Sequence, residues 1–200
     1  MRRIMSNLVE KYYENLYTLI HSIQVSDQDG LEMNFHQGIE WTCNLILAQA
    51  KEGRKLIFIG NGGSAAICSH MATDFWKTAG IKAVAFNDSS LLTCIGNDYG
   101  YEHVFAKPIS MFADQGDILM AISSSGQSPN ILNGVKAARE KNCQVITFSG
   151  FRPDSPLRSL GNLNYYVPAE AYGPVEVLHH SICHCILDIL QSIGHDEKSE

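Results

Sequence analysis

The sequence predicts an α/β fold: a doubly wound, five-stranded, mostly parallel sheet flanked by helices, with two further helices at the N-terminus that serve oligomerisation. Three observations predict it. Five short apolar runs follow one another from Lys55 onward: KLIFIG, KAVAF, DILMAIS, CQVITFSG and NYYVPA. They are solid rather than alternating, the pattern of strands buried on both faces. Helix-periodic stretches between most of them leave room for crossover connections, and two longer amphipathic segments precede any strand.

Leu8, Tyr12, Leu16, Leu19 and Ile23 share one helical face, and Phe35, Ile39, Cys43, Ile46 and Ala50 share another. Between them Ser26–Gly30, with Asp27, Asp29 and Gly30, reads as a polar turn. Neither helix has a strand of its own to cover, so one of them is expected against another subunit. Later helices are expected at Ser64–Thr78, Glu102–Ala113 and Asn130–Lys141. Val175–Ile193 closes the chain, with Val175, Leu178, Ile182, Ile186, Ile189 and Leu190 on one face. No repeat or linker divides the sequence. Residues 1–200 therefore read as one domain, a helical pair over 1–53 and an α/β core over 54–194, ending in a short fraying tail at Ser199 and Glu200.

Composition excludes several classes. With 200 residues, 45% hydrophobic and 18% charged, the chain can bury a sizeable core and is neither disordered, collagen-like nor a disulfide-stapled miniprotein. Fifteen basic against twenty-one acidic residues give a net charge of −6, so no global basic field favours nucleic acid or an anionic membrane. No apolar run approaches the roughly 18–20 residues that span a bilayer. The opening MRRIMSNLVEKYYENL lacks the unbroken apolar region of a secretory signal. Cys43, Cys68, Cys94, Cys143, Cys183 and Cys185 form no CxxC pair, and most of them read as small core residues of a cytoplasmic protein.

Ligands of open parallel sheets sit beyond the carboxyl ends of the strands. Two loops there are unusual: Gly60, Asn61, Gly62, Gly63, Ser64 after KLIFI, and Ser123, Ser124, Ser125, Gly126, Gln127, Ser128 after DILMAI. Gly62 and Gly63 let the backbone approach a ligand, the following helix offers free N–H groups, and the serines supply neutral donors. That is a way to hold a phosphate without arginine. A plain tight turn with serine N-caps, Ser128 before Pro129 above all, is the competing explanation. No Lys follows the glycines as in a Walker A loop, and Ala65 and Ala66 replace the third glycine of a dinucleotide fingerprint, so a nucleotide cofactor is not indicated.

Side chains able to bind metal or move protons recur at helical spacing. His70 and Asp74 are four apart and share a face; Glu176, His180 and His184 are spaced by four, with His179 beside them. Imidazole and carboxylate are normal zinc ligands, and the same groups suit proton transfer. His179 and His180 read equally well as a polar stripe, while His21, His36, His103 and His195 read as surface or satisfied core residues.

GNGGS after the first strand, SSSGQS after a later one, NDSSLLTCIGNDYGYEHVF between them and a His-bearing closing helix together resemble the sugar isomerase (SIS) domain. The likeness runs from about Leu31 to Leu190 and is greatest to the phosphoheptose isomerase branch, which converts sedoheptulose 7-phosphate to glycero-manno-heptose 7-phosphate. The resemblance implies that Ser64, Ser123, Ser124, Ser125 and Ser128 hold the sugar phosphate and that Asn61 and Asp88 lie near its hydroxyls. It implies zinc on His70, Asp74, Glu176 and His184, with Asp74 as base, His184 as acid and the ion stabilising enediolate oxygens. It also implies a homotetramer with sites between subunits.

Two positions depart from the family. Asp74 stands where the family has a catalytic Glu, which shortens the carboxylate's reach by roughly 1.5 Å. Glu176 replaces a Gln, which adds a negative charge and makes Glu176 an alternative base. Gly173 replaces an Asp three residues before that Gln, and Lys77 is out of register with the family's basic residue. Some relatives of this fold are non-catalytic adaptors that bind the replication initiator DnaA, and others are sugar-phosphate-sensing regulators. Retention of His70 and His184 with acids at the other two positions favours the enzyme.

Overall fold

A computed structural model of the chain describes residues 2–196, with side chains from 4 to 194; the side chain of His195 and the tail at Ser199 and Glu200 lie outside the described residues. The chain opens with α1 (Arg2–Ile20), then two short strands, β1 (Gln24–Asp27) and β2 (Glu32–Met33), and α2 (Phe35–Lys51). Asn34 starts α2 with a capping box: its side chain accepts from the Gln37 N–H, and the Gln37 side chain accepts from the Asn34 N–H. There follow β3 (Leu56–Gly60), α3 (Gly63–Thr78), β4 (Ala83–Ala85) and α4 (Ser89–Tyr99). The rest is α5 (Ala106–Phe112), β5 (Ile118–Ser123), α6 (Pro129–Glu140), β6 (Gln144–Gly150), β7 (Leu163–Val167) and α7 (Tyr172–Asp196).

All seven strands make one sheet in the order β2-β1-β7-β6-β5-β3-β4. The five solid apolar runs supply its parallel part, β3 through β7. The expected count of five strands is therefore too low by two, because the stretch around Ser26 that reads as a turn enters the sheet first. β1 lies antiparallel on β7, with Val25 opposite Tyr165, and β2 pairs with β1. Val25 is the one large apolar residue of β1, too weak a pattern to mark a strand. It is buried beneath α2, where a Cβ on Gly38 would come within 2.7 Å of it. The two strands cover the otherwise open edge of β7, so the segment 1–53 is a helical pair with a strand pair between.

Alternation along the strands sends side chains to two cores. Phe58, Met120, Ile122, Phe148 and Tyr165 face α2, α3 and α7, whereas Ile57, Ile59, Leu119, Ala121 and Val145 face α5 and α6. A further correction concerns the segment between β4 and β5. Asp88 caps α4, which the sequence reading did not assign, and the helix expected over Glu102–Ala113 is divided. Tyr101–His103 forms a 3₁₀ turn, and α5 begins only at Ala106, with Pro108 in its first turn where a missing N–H costs nothing.

Helix α1 is anchored near its end, where Leu16 and Leu19 pack with Val167, Val175 and Leu178. Upstream, Ile4, Leu8, Tyr13 and Tyr17 are each more than half exposed. The apolar face of α1 thus remains largely uncovered in the single chain.

Candidate active site

The chain leaves β3 for β4 on one side and passes from β5 to β6 on the other. The sheet's switch point therefore falls between β3 and β5, where Gly60 and Ile122 are register partners. Both loops singled out in the sequence open there. One feeds α3 and the other α6, so two helix N-termini converge with free N–H groups and the positive ends of their dipoles.

Between the loops lies a cleft of about 100 Å³, lined by Asn61, Ser64, Ser123, Ser124, Ser125 and Ser128, with Tyr172 and Glu176 from α7. Its tightness depends on two glycines. A Cβ on Gly60 would come within 2.8 Å of the Ser64 backbone, and Gly62 takes φ +54°, where other residues are strained. The serine hydroxyls fall into three states. Ser123 and Ser125 Oγ accept from the N–H groups of Gly126 and Gln127, which closes the loop and leaves each O–H free to donate. Ser124 Oγ is buried with no partner. Ser128 holds the N-cap position of α6, yet its side chain makes no capping bond, contrary to the N-cap explanation. Among the described residues no Lys or Arg lines the cleft, and the donors they offer there are neutral.

Asn61 is fixed from two sides. It exchanges amide hydrogen bonds with Asn130, 3.0 and 2.8 Å, and its Oδ1 also accepts from Tyr101 Oη at 3.2 Å. Asn130, Tyr101 and Tyr172 were not anticipated. For Asn130 the available signal was a polar residue in the first turn of a helix that follows a glycine-serine loop. Asp88 behaves differently from the expectation of a sugar contact alone: Oδ1 accepts from the N–H groups of Ser90 and Leu91 to cap α4, and the residue is exposed and does not line the cleft.

Helices α3 and α7 pack side by side and carry the remaining groups. A Cβ on Gly63 would overlap the Glu176 carboxylate, which places Glu176 at the start of α3, beside the serines. Farther along both helices, the ligand atoms of His70, His180 and His184 lie within 4.8 Å of one another. Asp74 Oδ2 is 3.2 Å from His70 Nε2; the Asp74 side chain is 19% exposed and that of His70 49%. Of the four residues expected on zinc, His70 and His184 share the cluster, Asp74 adjoins it through His70, and Glu176 lies at the cleft instead. Burial, with His184 and His70 adding to it, pushes the His180 imidazole below the usual histidine range. His179 turns the other way: it is wholly buried, Nε2 donates to the Ser149 carbonyl at 3.0 Å, and burial drops its pKa to about 4, so it is a neutral core residue.

A switch-point cleft of neutral donors, with three imidazoles and a carboxylate farther along the same two helices, marks an α/β domain of the kind that holds anionic ligands. The family model for the SIS domain matches residues 11–150. Phosphoheptose isomerase of Helicobacter hepaticus is 36% identical over 160 residues, 77% of this chain and 81% of that protein. That of Geobacter sulfurreducens is 34% identical over 82% of this chain and 89% of its own length. Among solved structures, phosphoheptose isomerase GmhA from Neisseria gonorrhoeae superposes with a TM-score of 0.82 at 28% identity, over 94% of this chain and 99% of that one. The chain belongs to the SIS domain family, in its phosphoheptose isomerase branch.

Proposed function

We propose that the protein isomerises sedoheptulose 7-phosphate to the aldose, D-glycero-D-manno-heptose 7-phosphate, by an enediol proton transfer. One observation carries this reading: the serine cleft and the imidazole-carboxylate cluster lie at two levels of the same pair of helices. From Ser64 to His70 is six residues, ~9 Å along α3, and from Glu176 to His180 and His184 is ~6 and ~12 Å along α7. A seven-carbon chain of C–C bonds near 1.5 Å extends roughly 7–8 Å. With its phosphate among the serines, a heptose 7-phosphate therefore brings C1 and C2 to the cluster.

The proton bookkeeping closes with two groups. Asp74 removes a proton from C1 of the ketose, the electron pair forms the C1–C2 double bond, and protonated His184 delivers its proton to the C2 oxygen. His184 then takes the O1 proton as the C1 carbonyl forms, and Asp74 returns its proton to C2. Glu176, at the cleft, accepts hydrogen bonds from hydroxyls in the middle of the sugar. Its place beside the serines makes it a weaker candidate for the base than Asp74, which sits at the level of the reacting carbons.

The donor set suits zinc, since His70 and His184 offer imidazoles next to the Asp74 carboxylate and a further buried imidazole nitrogen, His180 Nε2, has no partner. When bound, the ion would take the His184 nitrogen and supply Lewis-acid stabilisation of the enediolate oxygens in place of the proton that His184 delivers in the metal-free site. The relatives are named as enzymes, which favours catalysis over an adaptor or regulatory role. All six cysteines are free thiols, in keeping with a cytoplasmic protein, and no helix among the described residues is long and apolar enough to cross a membrane.

The uncovered apolar face of α1 supports assembly as a homotetramer. Light scattering on the purified protein is expected to give a mass near four chains, and a monomer at micromolar concentration would contradict it. The function itself is tested by incubating the protein with sedoheptulose 7-phosphate and reading the products by NMR. Aldose 7-phosphate is expected, and an unchanged ketose would refute the reading.

A further inference from the structure

We infer that His180 is a metal ligand in this chain, completing a three-imidazole site with His70 and His184, and that Glu176 lies outside that site. The inference rests on the zinc reading above and changes its donor set. The three ring centroids are 4.6–5.4 Å apart in every pairing. Their ligand atoms fall within 4.8 Å of one another, the only such group of three His, Cys, Asp or Glu among the described residues. His180 Nε2 is buried and makes no hydrogen bond. A buried nitrogen without a partner carries a desolvation cost that a shared cation removes.

Helical geometry explains why His180 and not His179 joins the cluster. Residues 176, 180 and 184 recur every four positions and stay on one face of α7, whereas His179 is turned by about 100° into the core, where its Nε2 is already committed to Ser149. The Glu176 carboxylate, at the other end of that face, is pressed against Gly63 and borders the serine cleft. A shortened carboxylate at position 74 and an imidazole at position 180 thus act together: the cluster draws its nitrogen donors from both helices, and the acid at 176 is left for the substrate.

The test is metal affinity of the chelator-stripped protein, measured by competition with a chromophoric zinc chelator and without any turnover. Loss of a metal ligand is expected to weaken zinc in His180→Ala by at least about 10-fold, the lower bound for outer-sphere losses, while Glu176→Ala stays within roughly twofold of wild type. The reverse order, or no zinc bound by the wild type, overturns the inference. Circular dichroism of the metal-free variants checks that they fold. X-ray absorption of the zinc-loaded wild type gives an answer that needs no variant: three imidazoles are expected, and two or fewer contradict the site. Turnover of sedoheptulose 7-phosphate is measured separately, so a failed isomerase reading and a failed ligand assignment give different results.

Discussion

Asp74→Asn is expected to lower kcat for the ketose phosphate by roughly 10²- to 10⁴-fold, the usual share of a positioned general base. Asn keeps the shape and cannot take the C1 proton. KM should change little, because the serine cleft proposed for the phosphate lies near the N-terminus of α3, more than two turns away. Asp74→Glu separates chemistry from packing, since it retains a carboxylate and lengthens it by one methylene. It is expected to keep kcat within about 100-fold of wild type, the cost of a displacement near 1 Å. Steady-state kinetics of the two variants decides the matter. If Asp74→Asn turns over like wild type while Glu176→Gln is inactive, the base is Glu176 and the two-level arrangement is wrong.

Ser124→Ala is expected to have effects of opposite sign on binding and on folding. Its hydroxyl is buried and unpartnered in the free protein, so a bound phosphate gains a hydrogen bond to a charged group worth about 1.5–3 kcal/mol, and the variant's KM rises roughly 10- to 100-fold. The free protein loses an orphaned polar atom and should unfold at the same temperature as wild type or slightly higher. A purely structural serine would give the reverse, a lower melting temperature with KM unchanged. Thermal unfolding without ligand, together with KM, reads both effects.

Much of this arrangement is legible in the chain because solid apolar runs, glycine-serine loops and four-residue spacings each have a single geometric meaning. KLIFIG and DILMAIS become adjacent strands, and their loops meet because the winding reverses between them. What escaped the sequence had weak local signals. β1 and β2 together bury one large apolar side chain, Val25, and exist because β7 has an edge to pair. Helix α4 buries no residue fully, so its periodicity is faint, although Asp88 ahead of Leu91, Leu92 and Ile95 was an available capping signal. The helix expected at Glu102 was stopped by local backbone chemistry, with Gly100 at φ +93° and Pro108 marking the restart.

The site was legible by residue type more than by grouping. The spacing of Glu176, His180 and His184 placed all three on one face, but only the packing of α3 against α7 shows that the face spans two levels. Glu176 belongs to the upper one, at Gly63, and the histidines to the lower, beside His70 and Asp74. The family resemblance pointed to one four-ligand set; the geometry divides it between the serine cleft and the imidazole cluster.

The most direct test of that division is the reaction run in D₂O with sedoheptulose 7-phosphate and followed by proton NMR. Proton transfer through Asp74 at the reacting end predicts an aldose 7-phosphate carrying deuterium at C2 wherever the base exchanges with solvent before returning its proton, together with loss of the C1 signal of the ketose. The unphosphorylated ketose should react far more slowly for want of the serine cleft. A ketose that keeps its C1 protons and forms no aldose, under conditions where the zinc-loaded protein is folded, would contradict the account.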